Sequence, residues 1–173
     1  MNLSEDELRA ALLYQLAALD GMAACAGTEV TYVKPHGALY NDMMADAHLR
    51  GIIMRTVAAY PRPLTLMIQA TAEAANHRQE AEALGLALFL EAFADRCYDD
   101  DGKLLSRRRE GAVHTRERML AQVQELVSEG SVKTVSGKRL ALDIDSLCVH
   151  GDNDAGVQAI REIRAIVGEH KAA

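Results

Sequence analysis

The chain has 173 residues, of which 49% are hydrophobic, and a formal net charge of −6. This length and apolar fraction fit one domain over residues 1–173 with a sizeable core. The negative charge argues against nucleic acid or an anionic membrane as a partner, because both repel an acidic surface. No apolar run approaches the roughly 20 residues that cross a bilayer, and the acidic start is unlike a signal peptide. We therefore expect a cytoplasmic protein.

The N-terminal half alternates between predicted helices and strands. Ser4 and Glu7 form a capping box that opens a first helix. Pro35 keeps the residue before it extended, after a β-branched strand at 30–33. The hydrophobic pattern then predicts a helix from about Met43 to Tyr60, a strand at 64–68, a helix at 71–84 and a strand at 86–90.

The C-terminal half continues the alternation after a long segment that runs to Ala112. Thr115 can cap a helix that ends just before Gly130. Residues 136–138 predict a tight turn between two short strands. A last strand at 146–150 precedes a final helix, which we expect Asn153 to cap.

Alternation of apolar strands with helices predicts an α/β fold with a parallel sheet. The pattern gives four parallel strands and one hairpin, whereas a closed barrel uses about eight strands. Two alternatives follow: the chain is an open sandwich, or it is an incomplete barrel. Self-association could cover the open sheet edges in either case.

Ligands of parallel α/β sheets bind at the carboxyl ends of the strands. The first such end is the rim segment, residues 34–41. Pro35 and Gly37 fix its turn, so that Lys34 and His36 are presented on a rigid backbone. A plain surface turn with an ordinary histidine remains the alternative.

The second strand end comprises residues 91–98, which we call the strand-end segment. The long stretch after it exceeds the usual 2–6 residues of such loops, which suggests a substrate lid or a partner contact. Acidic residues come first in that stretch and an arginine run at 107–109 follows. The arginines could bind a phosphate or a carboxylate, or the loop could be solvated with charges that cancel.

The third strand end carries His150, which can act as an acid or a base near neutral pH. Asp152 has a ready alternative role as a helix cap, and a buried, hydrogen-bonded histidine is the alternative for His150. The three cysteines are far apart and form no Cys-x-x-Cys pair, and the sequence contains no His-Glu-x-x-His and no phosphate-binding Gly-x-x-x-x-Gly-Lys. We therefore predict no protein-bound metal.

The same three segments resemble the LamB/YcsF family. Residues 33–41 match its VKPHGALYN signature, residues 91–107 match E-x-FADR-x-Y-x-x-DG-x-L-x-x-R, and residues 147–153 match LCVHGDN. The family's N-terminal motifs, such as DLNCDLGE, do not occur in this sequence. The resemblance therefore implies the C-terminal portion of a (β/α) barrel of the deacetylase type.

The resemblance also implies an activity, that of the A subunit of the ATP-dependent 5-oxoprolinase, which opens 5-oxoproline to glutamate. It implies ATP with Mg²⁺ as co-substrate and subunits B and C as partners. The residues that it assigns to proton transfer and to its orientation are His36, His150, Asp95, Asp152 and Glu91. Those that it assigns to substrate or phosphate binding are Lys34, Arg96, Asn41 and Arg107.

Two other functions remain open from the sequence. The chain could be a non-catalytic fragment or interaction module, since it lacks the N-terminal motifs. It could also be a metal-dependent hydrolase like the deacetylases, although shared fold alone is a weak argument for function.

Overall fold

The computed structural model describes residues 3–152 and 154–171. Helices and strands alternate along this part of the chain, and the predicted cap at Asn153 lies outside the described residues. The helices are α1 Glu5–Cys25, α2 Ala38–Ala45, α3 Ala47–Ala58, α4 Ala74–Glu82, α5 Arg116–Glu129 and α6 Asp154–Lys171. The strands are β1 Tyr32–Val33, β2 Thr65–Gln69, β3 Ala87–Phe93, β4 Ser131–Lys133, β5 Arg139–Ala141 and β6 Ser146–Cys148.

The chain forms two compact units. The first comprises the residues up to 69 together with 75–89, and the second comprises 70–74 and the residues from 90 onward. Strand β3 begins in the first unit and ends in the second. The single domain expected from the sequence stays a prediction.

In the first unit, β1, β2 and the start of β3 are neighbours in that order. β1 and β2 are parallel, with Tyr32 opposite Thr65. The predicted capping box of α1 is confirmed: the Ser4 amide donates to Glu7 Oε2 at 2.8 Å, and the Glu7 amide donates to Ser4 Oγ at 3.3 Å. The core of this unit includes the fully buried side chains Met43, Ile53, Leu66 and Ile68.

The single helix predicted from Met43 to Tyr60 is wrong, because two helices occupy this region. Asp46 has extended backbone angles and separates α2 from α3. Its carboxylate accepts hydrogen bonds from the amides of His48 at 2.8 Å and Leu49 at 3.2 Å. The side chain thus caps α3, a role that competes with a helix interior position for aspartate.

In the second unit, the end of β3 pairs in parallel with β6, and β4 and β5 form the predicted antiparallel hairpin. Helix α5 begins at the predicted Thr115 cap and ends at Gly130, whose φ of 60° is left-handed. Its apolar face packs on α6 and the end of β3 through a cluster of buried side chains. The members of this cluster are Ala94, Met119, Val123, Ala159 and Ile163.

Two strand boundaries differ from the predictions and move candidate residues. β3 extends to Phe93, so Glu91 lies inside the strand and not beyond its end. β6 ends at Cys148, so His150 lies two residues past the strand, in the connection to α6. The α/β class with parallel strands is confirmed.

Candidate functional site

Every residue of the strand-end segment, 91–98, is buried. The Ala94 amide donates to the Cys148 carbonyl oxygen at 2.9 Å, which continues the pairing of β3 with β6 past the last strand residue. Asp95 follows directly and is only 1% exposed. The fold therefore places this carboxylate inside the protein, next to the chain that leaves β6.

Asp95 and His150 form a hydrogen-bonded pair. His150 Nδ1 lies 2.9 Å from Asp95 Oδ1 and 3.0 Å from Oδ2. The imidazole also stacks on the Phe93 ring, with centroids 5.5 Å apart and planes 16° apart. The carboxylate and the aromatic ring thus fix both the position and the tilt of the imidazole.

The geometry of this pair suits proton transfer. A carboxylate at Nδ1 favours the tautomer with hydrogen on that nitrogen and stabilises the imidazolium that forms when a proton is taken up. The other ring nitrogen, Nε2, is then the one that exchanges protons with water or substrate. The family resemblance implied proton transfer by His150 and an orienting role for Asp95. The structure brings the two residues into contact, and their roles stay predictions.

Arg107 and Asp152 form an ion pair near Asp95. Arg107 Nη1 donates to Asp152 Oδ2 at 2.5 Å, and this bond lowers the pKa of the Asp152 carboxyl below its usual value. Both residues line a cavity of about 240 Å³ that Asp95 also lines. The predicted carboxylate-binding arginine is therefore next to the Asp95–His150 pair, and its present partner is itself a carboxylate.

Arg96, the other arginine assigned to anion binding, is hydrogen-bonded to the protein backbone. Its guanidinium is buried and donates to the carbonyl oxygens of Leu105 and of Ala112, the latter at 3.4 Å. Burial, with the nearby charge of Arg107, lowers the pKa of Arg96. The side chain holds the long segment after β3 closed, and its proposed role in anion binding stays a prediction.

The long segment is folded onto its own backbone. The Cys97 amide donates to the Ala112 carbonyl oxygen, and the Leu105 amide donates to the Cys97 carbonyl oxygen, each at 3.0 Å. The side chains of these three residues form a small buried cluster. Asp100 accepts hydrogen bonds from Thr134 at 2.5 Å and Ser136 at 2.7 Å, which tie the segment to the β4–β5 hairpin. Leu105 and Ala112 are buried, whereas the arginine run at 107–109 is exposed. The solvated-loop alternative and the lid hypothesis both stay predictions.

Glu91 is buried within β3 and its carbonyl oxygen accepts from the Ala70 amide at 2.8 Å. The charge of its carboxylate also acts on Tyr98, whose pKa is raised first of all by its own burial. The Phe93 amide donates to the Tyr98 hydroxyl oxygen at 2.9 Å. An orienting role for Glu91 at the site stays a prediction.

The rim segment belongs to the first unit. Lys34 Nζ lies 5.4 Å from the centroid of the Tyr40 ring, a cation–π contact. His36 and Asn41 are exposed. Gly37 begins α2 with φ 64° and ψ −136°, a conformation that favours glycine. The gathering of these residues with those of the second unit stays a prediction.

Sequence reasoning missed two polar residues behind the Asp95–His150 pair, Gln122 and His114. Gln122 is fully buried on α5, and its amide contacts the backbone on both sides of Asp95. The signal was present: Gln122 lies three residues after Met119 and next to Val123, on the apolar face of α5. A polar residue at such a position requires buried partners.

Within the described residues, no three His, Cys, Asp or Glu side chains are grouped closely enough to hold a metal ion. Among the described helices, none is long and apolar enough to cross a membrane.

The chain is similar in sequence to proteins named as A subunits of 5-oxoprolinase. The chain is 49% identical over 162 residues to the 5-oxoprolinase A subunit of Chromohalobacter salexigens, covering 93% of this chain and 65% of the relative. It is 46% identical over 165 residues to one of the 5-oxoprolinase A subunits of Pseudomonas putida, covering 95% and 64%. The chain thus spans slightly less than two thirds of the length of these two relatives.

A solved structure is similar over nearly the whole chain. This is the crystal structure of a lactam utilization protein from Thermus thermophilus, which superposes with a TM-score of 0.83 at 32% identity. The match covers 97% of this chain and 67% of that one. The family model described as LamB/YcsF family matches residues 1–173. The chain therefore belongs to the LamB/YcsF family.

Proposed function

We propose that this chain is a component of an ATP-dependent 5-oxoprolinase, which opens 5-oxo-L-proline to L-glutamate. The observation that carries the proposal is the Asp95–His150 pair, held at the end of β3 beside Arg107. Its relatives in Chromohalobacter and Pseudomonas are named as A subunits of this enzyme, and its structural neighbour is named a lactam utilization protein.

The reaction needs a group that moves protons. A lactam carbonyl is a poor electrophile, so the attacking water must lose a proton as it adds to the carbonyl carbon. In our proposal His150 Nε2 takes that proton, while Nδ1 remains bonded to Asp95. The carbon–nitrogen bond of the ring then breaks, and the proton on Nε2 passes to the departing ring nitrogen. This ring-opening step consumes one water. With the lactam oxygen phosphorylated by ATP its product would be an acyl phosphate, which a second water would hydrolyse to glutamate and phosphate.

Arg107 is proposed to bind the carboxylate of 5-oxoproline. Its guanidinium already holds a carboxylate, that of Asp152, and the two side chains are 43% and 64% exposed. An exposed ion pair contributes little to stability, so a substrate carboxylate can replace Asp152 on Arg107 at small cost. Asp152, once released, faces the same cavity as Asp95.

The finer parts of the proposal come from the family. Lys34, His36 and Asn41 would add cationic, proton-transferring and hydrogen-bonding groups, and Arg96 and Glu91 would support the site. ATP with Mg²⁺ is in this proposal a co-substrate of the assembled enzyme, and phosphorylation of the lactam oxygen would supply a leaving group. Subunits B and C are the proposed partners, and a deacetylase-type (β/α) barrel is the proposed complete fold.

The test uses this chain assembled with subunits B and C. Glutamate formation from 5-oxoproline is measured with and without ATP, for the wild type and for His150→Gln. We expect ATP-dependent glutamate in the wild type and a fall in kcat of about 10²–10⁴-fold in the variant, the usual contribution of a general base. His48→Gln is the matched control, because His48 is an exposed histidine on α3.

Two results would contradict the proposal. One is a wild-type assembly that forms no glutamate with ATP present, which would favour a non-catalytic interaction module. The other is unchanged turnover in His150→Gln. Activity that disappears after chelation and returns with Zn²⁺, in the absence of ATP, would instead favour the metal-dependent hydrolase.

A further inference from the structure

A buried glutamine on helix α5 lies directly behind the Asp95–His150 pair. Gln122 is 0% exposed. Its side-chain nitrogen donates to the carbonyl oxygens of Phe93 at 2.8 Å and Arg96 at 2.9 Å, and it lies 3.3 Å from that of Ala94. One amide group thus contacts the backbone before and after Asp95.

We propose that Gln122 is a positioning residue for the Asp95–His150 pair, an inference that rests on the proposed function. The residues whose carbonyls it holds are those that carry the site: Phe93 stacks on the imidazole of His150, and Ala94 and Arg96 flank Asp95. Fixing these peptides fixes the direction of the Asp95 carboxylate. Loss of the amide frees the backbone from which both contacts to His150 are made.

His114 completes the arrangement from the other side. Its backbone amide donates to the Asp95 carbonyl oxygen at 2.9 Å, and its Nε2 lies 3.0 Å from Gln122 Oε1. Because the nitrogen of Gln122 donates to carbonyls, its oxygen is the acceptor, so His114 Nε2 carries the hydrogen. Burial lowers the pKa of His114 and so favours the neutral ring, while the bond to Gln122 Oε1 places the hydrogen on Nε2.

The sequence context of Gln122 supports a specific role. On α5 it takes a core position between Met119 and Leu126, where an apolar side chain would pack without needing partners. A buried amide is favourable there because the carbonyls of the strand end need donors. If Gln122 has only a structural role, its replacement should lower stability. If it has a positioning role, its replacement should also weaken the hydrogen bond of the Asp95–His150 pair.

The experiment measures the hydrogen bond of the Asp95–His150 pair directly. The hydrogen between His150 Nδ1 and the buried carboxylate should give a proton NMR resonance well downfield of the backbone amides, which His150→Gln assigns by removing it. In Gln122→Met we expect this resonance to shift strongly or disappear. In the assembled enzyme kcat should fall about 10²-fold with KM nearly unchanged, the scale of a small misplacement of catalytic groups.

Leu126→Ala is the control, because Leu126 is a buried residue one turn further along α5. It should lose comparable stability and keep both the resonance and kcat. An unchanged resonance in Gln122→Met, with kcat equal to that of Leu126→Ala, would overturn the proposal. If Gln122→Met does not fold, His114→Leu removes the donor to Gln122 Oε1 and should shift the same resonance less far; an unmoved resonance there also overturns it.

The two readouts separate this inference from the proposed function. The resonance is measured on the chain without substrate or partner subunits, so it reports on positioning even if no glutamate is formed. Absence of glutamate in the wild-type assembly would refute the proposed function alone.

Discussion

The strand-end segment, 91–98, and the rim segment, 34–41, are equally rich in functional groups in the sequence but differ in the structure. Residues 91–98 are all buried, and Asp95 already holds His150. In the rim segment His36 and Asn41 are exposed, and Lys34 contacts the Tyr40 ring. The first is a preassembled pair, whereas the second presents separate groups on a rigid turn.

The difference teaches how burial sorts candidate residues. A buried carboxylate costs free energy unless it is bonded, so the position of Asp95 is coupled to that of His150. An exposed histidine such as His36 is solvated and needs no partner. Substitutions in the strand-end segment should therefore act on chemistry and stability together, and those in the rim segment should act mainly through its backbone turn.

The largest expected effect is that of Asp95→Asn on turnover. Asparagine keeps the shape but removes the charge that stabilises the imidazolium, and it can favour the wrong tautomer of His150. We expect kcat for glutamate formation to fall about 10²–10⁴-fold in the assembled enzyme. Asp6→Asn, an exposed change in the first turn of α1, should leave kcat unchanged. Equal rates for the two variants would contradict the catalytic role of the Asp95–His150 pair.

Tyr98→Phe tests the buried support of the strand-end segment. It removes the hydroxyl that accepts from the Phe93 amide and leaves a buried donor unpaired. We expect a loss of about 1–3 kcal/mol in the free energy of unfolding, measured by urea denaturation at pH 7. A loss below about 0.5 kcal/mol would mean that water satisfies this amide.

The stability difference between the wild type and Tyr98→Phe should depend on pH. Burial raises the pKa of Tyr98 in the folded protein above the value of about 10 for an unfolded chain. The unfolded state therefore loses its proton first, and the stabilising contribution is complete below pH 10 and is lost as the pH rises through the folded pKa. Between pH 10 and 11 the wild type should lose up to about 1.4 kcal/mol more stability than Tyr98→Phe.

In the rim segment, Gly37→Ala should destabilise the protein by about 1–3 kcal/mol, because a φ of 64° with a ψ of −136° is a backbone conformation that residues other than glycine rarely adopt. Gly21→Ala is the matched control. Gly21 lies inside α1 with no atom within 4 Å of the added methyl group, so alanine should be neutral or stabilising by up to about 1 kcal/mol. Thermal unfolding of both variants compares the two glycines, and a Gly37→Ala variant as stable as Gly21→Ala would contradict the account of the turn.

The smallest expected effect is on the Arg107–Asp152 ion pair. A double-mutant cycle with Arg107→Ala and Asp152→Ala should give a coupling free energy in unfolding close to zero, because both side chains are largely exposed. The coupling should weaken further in high salt. A coupling as large as that of a buried ion pair would mean that Asp152 is too tightly held for a substrate carboxylate to replace it.

Local signals in the sequence predicted much of the fold. The Ser4–Glu7 capping box, the Thr115 cap and the end of α5 at Gly130 are confirmed, because caps depend on neighbouring residues alone. The break at Asp46 was missed, since its apolar neighbours continue a helical period across the cap. Strand ends were also misplaced, because pairing between β3 and β6 decides where each strand stops.

The candidate site was only partly predictable, because its contacts also join residues that are distant in the sequence. The pairing of Asp95 with His150 joins residues 55 positions apart, which no local pattern encodes. The family resemblance assigns Arg96 to anion binding, which stays a prediction, and no local pattern shows that its guanidinium bonds to carbonyls of the folded segment after it. Gln122 was overlooked because a single polar residue within an apolar stripe has no motif. Burial and hydrogen-bond partners, which only the fold supplies, were needed to find each of these contacts.

The most direct test of the central claim is a crystal structure of the assembled enzyme with 5-oxoproline bound. The account predicts the lactam in the cavity lined by Asp95 and Arg107, with its carboxylate on Arg107. His150 Nε2 should then lie within about 2.6–3.2 Å of the ring nitrogen or of a water next to the lactam carbonyl. A lactam bound elsewhere, with the Asp95–His150 pair out of its reach, would contradict the account.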